Sequence, residues 1–189
     1  MRVIGVVCSP RVGGNTEILV KEALSGAKER GSDVDLITLA GKTIAPCDAC
    51  RACMKTGECH IEDDMQEIYK KFQEADGIII GSPVYFYNVS AQAKLLIDRT
   101  YALFWTKKLT GKVGGVLAMA RRTGGANVLS SLYAILIAHR MVVAGGTVGY
   151  EGEEVPYAEK GAIRKDERAM REARAVGKNV ARLIKSLAR

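Results

Sequence analysis

Residues 2–16 read RVIGVVCSPRVGGNT, and this stretch decides the fold. Its first six residues are rich in β-branched side chains, which predicts a buried strand over Arg2–Val7. A loop of small and polar residues follows, and apolar residues at helical spacing then predict a helix over Asn15–Arg30. A strand, a loop and a helix in this order form the first unit of an α/β sheet.

The same alternation continues along the chain. Further strands are predicted over Val34–Leu39, Gly77–Ile80, Val113–Met119 and Met141–Val148. Further helices are predicted over Asp63–Glu74, Val89–Thr100, Asn127–His139 and the C-terminal segment. This pattern predicts a doubly wound parallel sheet with helices on both faces and the strand order 2-1-3-4-5, with a ligand crevice between strands 1 and 3.

The predicted units fit into a single domain of 189 residues. Asp63 or Asp64 is expected to cap the helix that begins there. Two long stretches have no predicted element, at 40–62 and at 150–161. Loops of this length in a compact domain are commonly functional, and the first of them contains four cysteines.

The net charge of +7 is concentrated near the C-terminus, where residues 160–189 hold ten Lys or Arg and three Asp or Glu. Apolar residues recur there at helical spacing: Met170, Ala173, Val176, Val180, Ile184 and Leu187. We therefore expect a helix that covers the sheet and has a solvated basic face. The alternative is a surface that steers an acidic redox partner or nucleic acid.

The expected location is the cytoplasm. No apolar run approaches the roughly 18 residues of a membrane helix. Met1 is followed directly by the first predicted strand, without a basic leader and a separate apolar region. We therefore expect a soluble protein that has neither a membrane nor a nucleic acid as its partner.

The loop after the first strand has the composition of an anion site. Ser9, Asn15 and Thr16 offer neutral hydrogen-bond donors, and Arg11 adds a positive charge. Backbone N–H groups at the start of the helix and the helix dipole favour an anion at the same place. Neither the Rossmann pattern G-x-G-x-x-G nor the P-loop pattern is present. The alternative is an ordinary turn in which Asn15 caps the helix.

A second loop, GSPVYFYNVS at 81–90, follows the third strand. The expected topology places it beside the first loop, across the crevice. Its three consecutive aromatic residues, Tyr85, Phe86 and Tyr87, suit contact with a planar ring whose edge bonds to nearby backbone groups. The alternative is that these aromatic residues pack locally or at a subunit contact.

The two loops together resemble those of the NAD(P)H-dependent FMN reductase and flavodoxin-like superfamily. The matching pieces are Ser9-Pro10-Arg11, Asn15-Thr16, Ala75-Asp76-Gly77, Gly81-Ser82-Pro83-Val84-Tyr85, Lys94 and Asp98-Arg99. The resemblance implies a flavodoxin-like fold and an FMN-dependent oxidoreductase. It also implies that the FMN phosphate is held by Ser9, Arg11, Asn15 and Thr16.

The same resemblance implies which residues surround the flavin ring. Those from the second loop are Pro83, Val84, Tyr85, Phe86 and Asn88. A third family loop follows the fourth strand and here reads ARRTGG at 120–125. Its glycines, Gly124 and Gly125, would let the backbone approach the ring closely, whereas Arg121 and Arg122 replace the small residues that are usual there.

Four of the five cysteines stand close together, as Cys47-x2-Cys50-x2-Cys53-x5-Cys59. In a cytoplasmic protein such a group argues against structural disulfides and suggests a metal. Its short spacings suit zinc or an iron–sulfur cluster, and vestigial or redox-active thiols are the third alternative. Cys8, at the end of the first strand, is expected to be a small buried side chain.

The cysteine spacing is similar to the compact motif of the iron–sulfur flavoproteins, a branch of the same superfamily. This resemblance implies a [4Fe–4S] cluster bound by Cys47, Cys50, Cys53 and Cys59. It implies electron transfer between a one-electron carrier such as ferredoxin, the cluster and FMN. The competing hypothesis is a cluster-free NAD(P)H-dependent FMN or quinone reductase.

Further expectations concern the remaining candidate residues. The resemblance implies a homodimer or homotetramer, and Phe104-Trp105 would belong to such a contact or to the core. His60 is expected to be a solvated loop residue beside Cys59. Because the cofactors carry the chemistry, no catalytic acid or base is assigned.

Overall fold

The computed structural model describes residues 1–152 and 159–188, and this part of the chain contains one five-stranded sheet. The strands are β1 Arg2–Val7, β2 Asp33–Thr38, β3 Gly77–Pro83, β4 Val113–Ala120 and β5 Val142–Tyr150. The α-helices are α1 Asn15–Glu29, α2 Cys53–Thr56, α3 Met65–Glu74, α4 Ala91–Arg99, α5 Tyr101–Trp105, α6 Gly125–Ala138 and α7 Glu167–Leu187. A single turn of 3₁₀ helix over Ala162–Lys165 precedes α7.

The strands are all parallel and follow the order β2-β1-β3-β4-β5, as predicted. The register places Val3 of β1 between Val34 of β2 and Gly77 of β3. Side chains alternate between the two faces of a strand. Ile4 therefore packs beneath α3–α6, whereas Val3 packs against α1 and α7.

Several element boundaries differ from the predicted ones. The helix expected from Asp63 begins at Met65, and Asp64 stands at its cap position without a side-chain cap bond. The side-chain bond to the start of the helix comes from Asp63 instead, whose carboxylate accepts the backbone N–H of Met65 at 2.9 Å. The sixth helix begins at Gly125 rather than Asn127. The short helices α2 and α5 were not predicted because each is only about one turn long.

The C-terminal helix packs on α1 and covers one face of the sheet, as predicted. Its buried residues include Ala173 and Val180, but Leu187 is 56% exposed and does not belong to the apolar stripe. The basic face is also less free than expected. Arg174 and Lys178 form ion pairs with carboxylates of α1, so much of the local charge is neutralised within the fold.

No helix in residues 1–152 and 159–188 is both long and apolar enough to cross a membrane. The irregular stretch predicted at 150–161 falls partly outside the described residues, because 153–158 are not among them.

The contact between α1 and α7 depends on a glycine. A Cβ atom at Gly177 would lie 1.7 Å from the carbonyl oxygen of Ala23. We expect Gly177→Ala to lower the free energy of unfolding by about 2 kcal/mol or more, since the two helices must separate. Chemical denaturation measures this change. Arg182→Ala, at an exposed position of the same helix, should change stability by less than about 0.5 kcal/mol. Equal effects of the two substitutions would contradict the close packing.

Candidate functional site

A small recess of about 80 Å³ lies where β1 and β3 end. It brings together seven of the residues predicted to bind FMN: Ser9, Arg11, Asn15, Thr16, Pro83, Val84 and Tyr85. Residues that the sequence did not single out complete its lining: Gly14, Met119, Glu151 and Lys160, with Arg121 from the third loop. The described residues that line this recess include three cationic side chains and one carboxylate, and cationic donors of this kind suit an anion.

The start of α1 points its backbone into this recess. Gly14 is the cap residue and makes no side-chain cap bond, and the N–H groups of a first helical turn have no partner within the helix. The Ser9 hydroxyl accepts a hydrogen bond from the backbone N–H of Arg11 at 3.2 Å. Ser9 and Thr16 are both 3% exposed. This donor set fits a phosphate group, whereas a recess of this size does not enclose a whole flavin.

Asn15 does not cap the helix, contrary to the alternative considered from the sequence. Its side-chain nitrogen donates to Glu151 at 2.9 Å and to the carbonyl oxygen of Glu159 at 2.8 Å. Its side-chain oxygen accepts from the backbone N–H of Gly161 at 2.8 Å. Asn15 therefore ties the first loop to the chain on both sides of residues 153–158.

Glu17 holds the first loop from within α1. One of its oxygens accepts the backbone N–H of Gly13 at 2.7 Å, and the other accepts Lys21 at 2.5 Å. The hydrogen bond from Lys21 is the largest cause that holds the pKa of Glu17 below its usual range. Glu17 is consequently ionised at neutral pH, and its carboxylate stabilises the loop.

A pH dependence follows from this depressed pKa. The contribution of Glu17 to stability is present above the ordinary pKa of a glutamate and is lost as the pH falls through the lowered pKa of the folded state. We expect the unfolding temperature of the wild-type protein to fall more steeply between about pH 5 and about pH 3 than that of Glu17→Gln. Calorimetry measures this difference. Glu58→Gln, at an exposed position, should follow the wild-type curve, and parallel curves for all three proteins would contradict the assignment.

The aromatic segment after β3 forms a strained turn. The backbones of Tyr85 and Asn88 exchange two hydrogen bonds of 2.9 and 3.1 Å. Phe86 and Tyr87 lie between them with φ values of 45° and 65°. A type I′ turn requires positive φ at both central residues, and these positions are normally occupied by Asn and Gly. Bulky residues in this region cost about 1–3 kcal/mol each, and such strain is concentrated at functional sites.

This turn places its residues unevenly about the recess. Tyr85 lines the recess, but Phe86 and Asn88 do not, and the Phe86 side chain is 98% exposed. Contact of Phe86 and Asn88 with the flavin ring therefore stays a prediction.

The third loop meets the second one through a glycine. Gly124 has a φ of 83°, and a Cβ atom there would lie 2.8 Å from a methyl group of Val84. Gly125 lies in the first turn of α6, where a Cβ atom would lie 2.3 Å from Val148. Gly125 is therefore required for packing of α6 on β5, and contact of either glycine with the ring stays a prediction.

A serine pair links the end of β3 to the start of α4. Ser90 caps α4 by accepting from the backbone N–H of Ala93, and its hydroxyl donates to the carbonyl oxygen of Cys8 at 2.5 Å. The backbone N–H of Ser90 in turn donates to the buried hydroxyl of Ser82 at 3.1 Å. This role of Ser90 was not predicted, although a serine before a helical stretch is a common cap signal.

The four cysteines of the compact motif line one cavity of about 590 Å³. Its opposite wall comes from α4, α5 and α6, with Ile97, Tyr101, Phe104, Ile135 and His139 among the lining residues. Cys8 lies apart from it and is fully buried, as predicted, and burial raises the pKa of its thiol to about 12.

The segment that carries the cysteines has its own electrostatic features. Burial, followed by the charge of Cys59, raises the pKa of Cys53. A hydrogen bond from the Cys50 backbone, with smaller contributions from the Cys50 and His60 side chains, lowers the pKa of Asp48 to about 2. His60 is half exposed, as expected of a loop residue, and its Nε2 lies 2.8 Å from the Asp48 carboxylate.

In the described part of the chain, no three of the four cysteine sulfurs lie within 4.8 Å of one another. Tetrahedral zinc with bonds of about 2.3 Å needs sulfurs about 3.8 Å apart. Among the described residues, the group of three or more metal-binding side chains with ligand atoms within 4.8 Å is Asp48, Cys50 and His60, and it holds one cysteine. Thiolates that bind separate irons of a cluster can stand further apart. Four thiolates from one short segment are the ligand set that a [4Fe–4S] cluster takes.

Aromatic residues of α5 lie at the edge of this cavity. Tyr101 and Phe104 are stacked with ring centres 6.2 Å apart, and Trp105 meets Phe104 edge-on at 5.5 Å. Phe104 and Trp105 are 40% and 42% exposed. They are therefore not core residues, and their part in a subunit contact stays a prediction.

Both candidate sites contain backbone strain that the sequence does not reveal. Among the described residues, six residues other than glycine have positive φ. Two of them, Ala49 and Arg51, stand between the cysteines, and two more are Phe86 and Tyr87. Both candidate sites thus include backbone that the surrounding structure must hold in place.

Comparisons with known proteins identify the class to which this fold and these sites belong. The family model of the NADPH-dependent FMN reductases matches residues 1–154. An iron–sulfur flavoprotein of Methanocaldococcus jannaschii is 44% identical over 190 residues, which cover 98% of each chain. An iron–sulfur flavoprotein of Methanosarcina thermophila is 39% identical over 155 residues, or 80% of this chain and 81% of the relative.

Solved structures support the same fold. A flavodoxin, WrbA-like protein of Agrobacterium tumefaciens matches with a TM-score of 0.67 at 16% identity and covers 98% of this chain and 97% of its own. An NAD(P)H:quinone oxidoreductase of Methanothermobacter marburgensis matches with a TM-score of 0.67 at 18% identity, over 95% of this chain and 98% of its own.

These features define a flavodoxin-like α/β protein with an anion recess at the carboxyl edge of its sheet. The chain belongs to the NADPH-dependent FMN reductase family, so the resemblance inferred from its loops is confirmed. It is an FMN-dependent oxidoreductase.

Proposed function

We propose that this oxidoreductase is an iron–sulfur flavoprotein that accepts electrons from a one-electron carrier such as ferredoxin. The observation that carries the proposal is that Cys47, Cys50, Cys53 and Cys59 all line one cavity. The relatives named iron–sulfur flavoproteins support it. When bound, a [4Fe–4S] cluster supplies one-electron chemistry and FMN supplies both one-electron and two-electron chemistry.

The residues of the recess would hold FMN by its phosphate. Ser9, Thr16 and the first turn of α1 donate hydrogen bonds there, and Arg11 and Lys160 add positive charge. The flavin ring would lie outside the recess, against Val84 and Tyr85. Ser9 and Thr16 are almost fully buried, so the phosphate would lie against the inner side of the recess.

The cavity lined by the four cysteines would hold the cluster, and it shares no lining residue with the recess that would hold the FMN phosphate. The four thiolates supply a complete set of ligands for [4Fe–4S]. The apolar wall of α5 and α6 would exclude water from one side of the cluster, whereas Cys47 and Cys50 on the other side are exposed. Such exclusion, together with hydrogen bonds to the sulfurs, sets the reduction potential of iron–sulfur centres.

Anaerobic reduction kinetics test the proposed function. Protein purified without oxygen is mixed either with a reduced ferredoxin or with NADPH, and the loss of flavin absorbance is followed. We expect the ferredoxin to reduce the flavin rapidly and NADPH to do so much more slowly. Rapid reduction by NADPH and none by the carrier would instead support a cluster-free NAD(P)H-dependent FMN or quinone reductase. The comparison with NADPH is included because a relative from Archaeoglobus fulgidus, 29% identical, is named NAD(P)H dehydrogenase (quinone).

A further inference from the structure

The segment that carries the cysteines is closed at its base by a buried ion pair. The side chain of Arg99 is fully buried, and that of Asp63 is 6% exposed. Nη1 of Arg99 lies 2.5 Å from Oδ2 of Asp63, and Nη2 lies 3.1 Å from Oδ1. Two parallel contacts of this kind fix the orientation of both side chains.

The same guanidinium also binds the backbone on both sides of the cysteines. Nη1 donates to the carbonyl oxygen of Ala45 at 2.9 Å, two residues before the first cysteine of the motif. Nη2 donates to the carbonyl oxygen of Ile61 at 3.3 Å, two residues after the last. Asp63 accepts the backbone N–H groups of Ala45 and Met65, each at 2.9 Å. One buried cation thus joins the entry and the exit of the segment.

Arg99 connects this segment to the flavin crevice because of its position in α4. It is the last residue of the helix, and its carbonyl oxygen accepts the hydroxyl of Tyr69 at 2.7 Å. The other end of the helix is fixed by Ser90, which donates to Cys8 beside the phosphate loop. The nine residues of α4 rise by about 14 Å. Buried polar contacts therefore hold both ends of one short helix, one end at each candidate site.

We propose that Arg99 is a positioning residue that presets the cysteine ligands for the cluster and fixes their place relative to the FMN crevice. The inference rests on the proposed function of the cysteines. When the ion pair closes the cysteine segment during folding, the entropic cost of bringing the two ends of the segment together is met at that stage. Cluster binding then does not have to offset this cost. The planar fork of arginine reaches a carboxylate and two carbonyls at once, which the single ammonium of lysine does not.

The test compares Arg99→Lys with wild type in protein purified without oxygen. Lysine keeps the positive charge but loses the fork. We expect amide hydrogen exchange over residues 45–61 to accelerate about tenfold or more. We also expect faster iron release to a chelator and an iron-to-FMN ratio severalfold below that of wild type, with FMN content and far-ultraviolet dichroism retained. Lys94→Gln, which breaks an exposed ion pair with Asp98 on the same helix, should match wild type in each measurement.

Asp63→Asn provides a second variant that keeps the shape of the carboxylate and removes its charge. It should shift exchange, iron release and iron content in the same direction as Arg99→Lys. Wild-type exchange and iron retention in both variants would overturn the proposal. Joint loss of FMN, helix content and iron in both would also overturn it, because Arg99 would then be a general structural residue. Wild-type protein without iron would contradict the proposed function instead, while hydrogen exchange would still report on the closure.

Discussion

Cys50→Ala protein purified without oxygen is expected to contain FMN and to lose its iron. Cys50 is exposed and is one of the four cysteines that line the 590 Å³ cavity. Its replacement leaves three thiolates for a centre that takes four. The broad absorbance near about 400 nm, where iron–sulfur charge transfer contributes, should disappear. FMN should remain, because the recess that would hold its phosphate is built from other loops.

The electron-transfer consequence separates the two candidate sites. Reduction of the flavin by a reduced ferredoxin should collapse in Cys50→Ala, whereas direct reduction by dithionite should survive. Cys8→Ala is the matched control, because Cys8 is buried in the sheet and lies outside the motif. A Cys50→Ala protein that accepts electrons from the carrier as fast as wild type would contradict a cluster at this position.

Thr16→Asp is expected to raise the dissociation constant of FMN by about 100-fold or more. Thr16 is almost fully buried in the first turn of α1 and lines the recess. A carboxylate there would face the phosphate at close range. Like charges in such contact cost several kcal/mol, and about 2.7 kcal/mol corresponds to a 100-fold change. Titration of flavin-free protein with FMN measures the effect by flavin fluorescence.

Thr16→Asn is the control for this charge effect. Asparagine has nearly the same shape as aspartate but is neutral, so the two variants differ mainly in charge. We expect Thr16→Asn to weaken FMN binding far less. Equal affinities of the two variants, or wild-type affinity in Thr16→Asp, would place the phosphate elsewhere on the protein.

The sheet and its order were predictable because they follow from local patterns. Alternation of buried strands and amphipathic helices leaves few topologies once crossovers are right-handed. The first two loops could be assigned to one crevice for the same reason, since β1 and β3 are neighbours in that order. The recess indeed joins Ser9 and Thr16 to Val84 and Tyr85.

Features that depend on distant partners could not be predicted. A helix cap was the alternative to phosphate binding for Asn15, because caps are local, but its partners Glu151, Glu159 and Gly161 lie far away in the sequence. The ion pairs of Arg174 and Lys178 could not be predicted from the pattern of α7, because the carboxylates Glu22 and Glu29 belong to α1. Periodicity likewise assigned Leu187 to the apolar stripe, but Leu187 is exposed. The helical pattern does not reveal where the contact of α7 with the rest of the protein ends.

The cysteine site also combines a feature that could be predicted from the sequence with one that could not. Its four cysteines were apparent from their spacing, but the ion pair that closes the segment joins residues 36 positions apart. Lys94 and Asp98 form an exposed ion pair within one helix. Arg99 follows Asp98 directly, yet it lies on the buried side of the helix, and only tertiary contacts reveal its role.

The content of iron, acid-labile sulfide and FMN in protein purified without oxygen tests the central claim most directly. We predict about four iron and about four sulfide per chain, together with FMN. Flavin-containing protein that holds no iron, or one zinc ion per chain in place of iron and sulfide, would contradict the assignment of Cys47, Cys50, Cys53 and Cys59 to a [4Fe–4S] cluster.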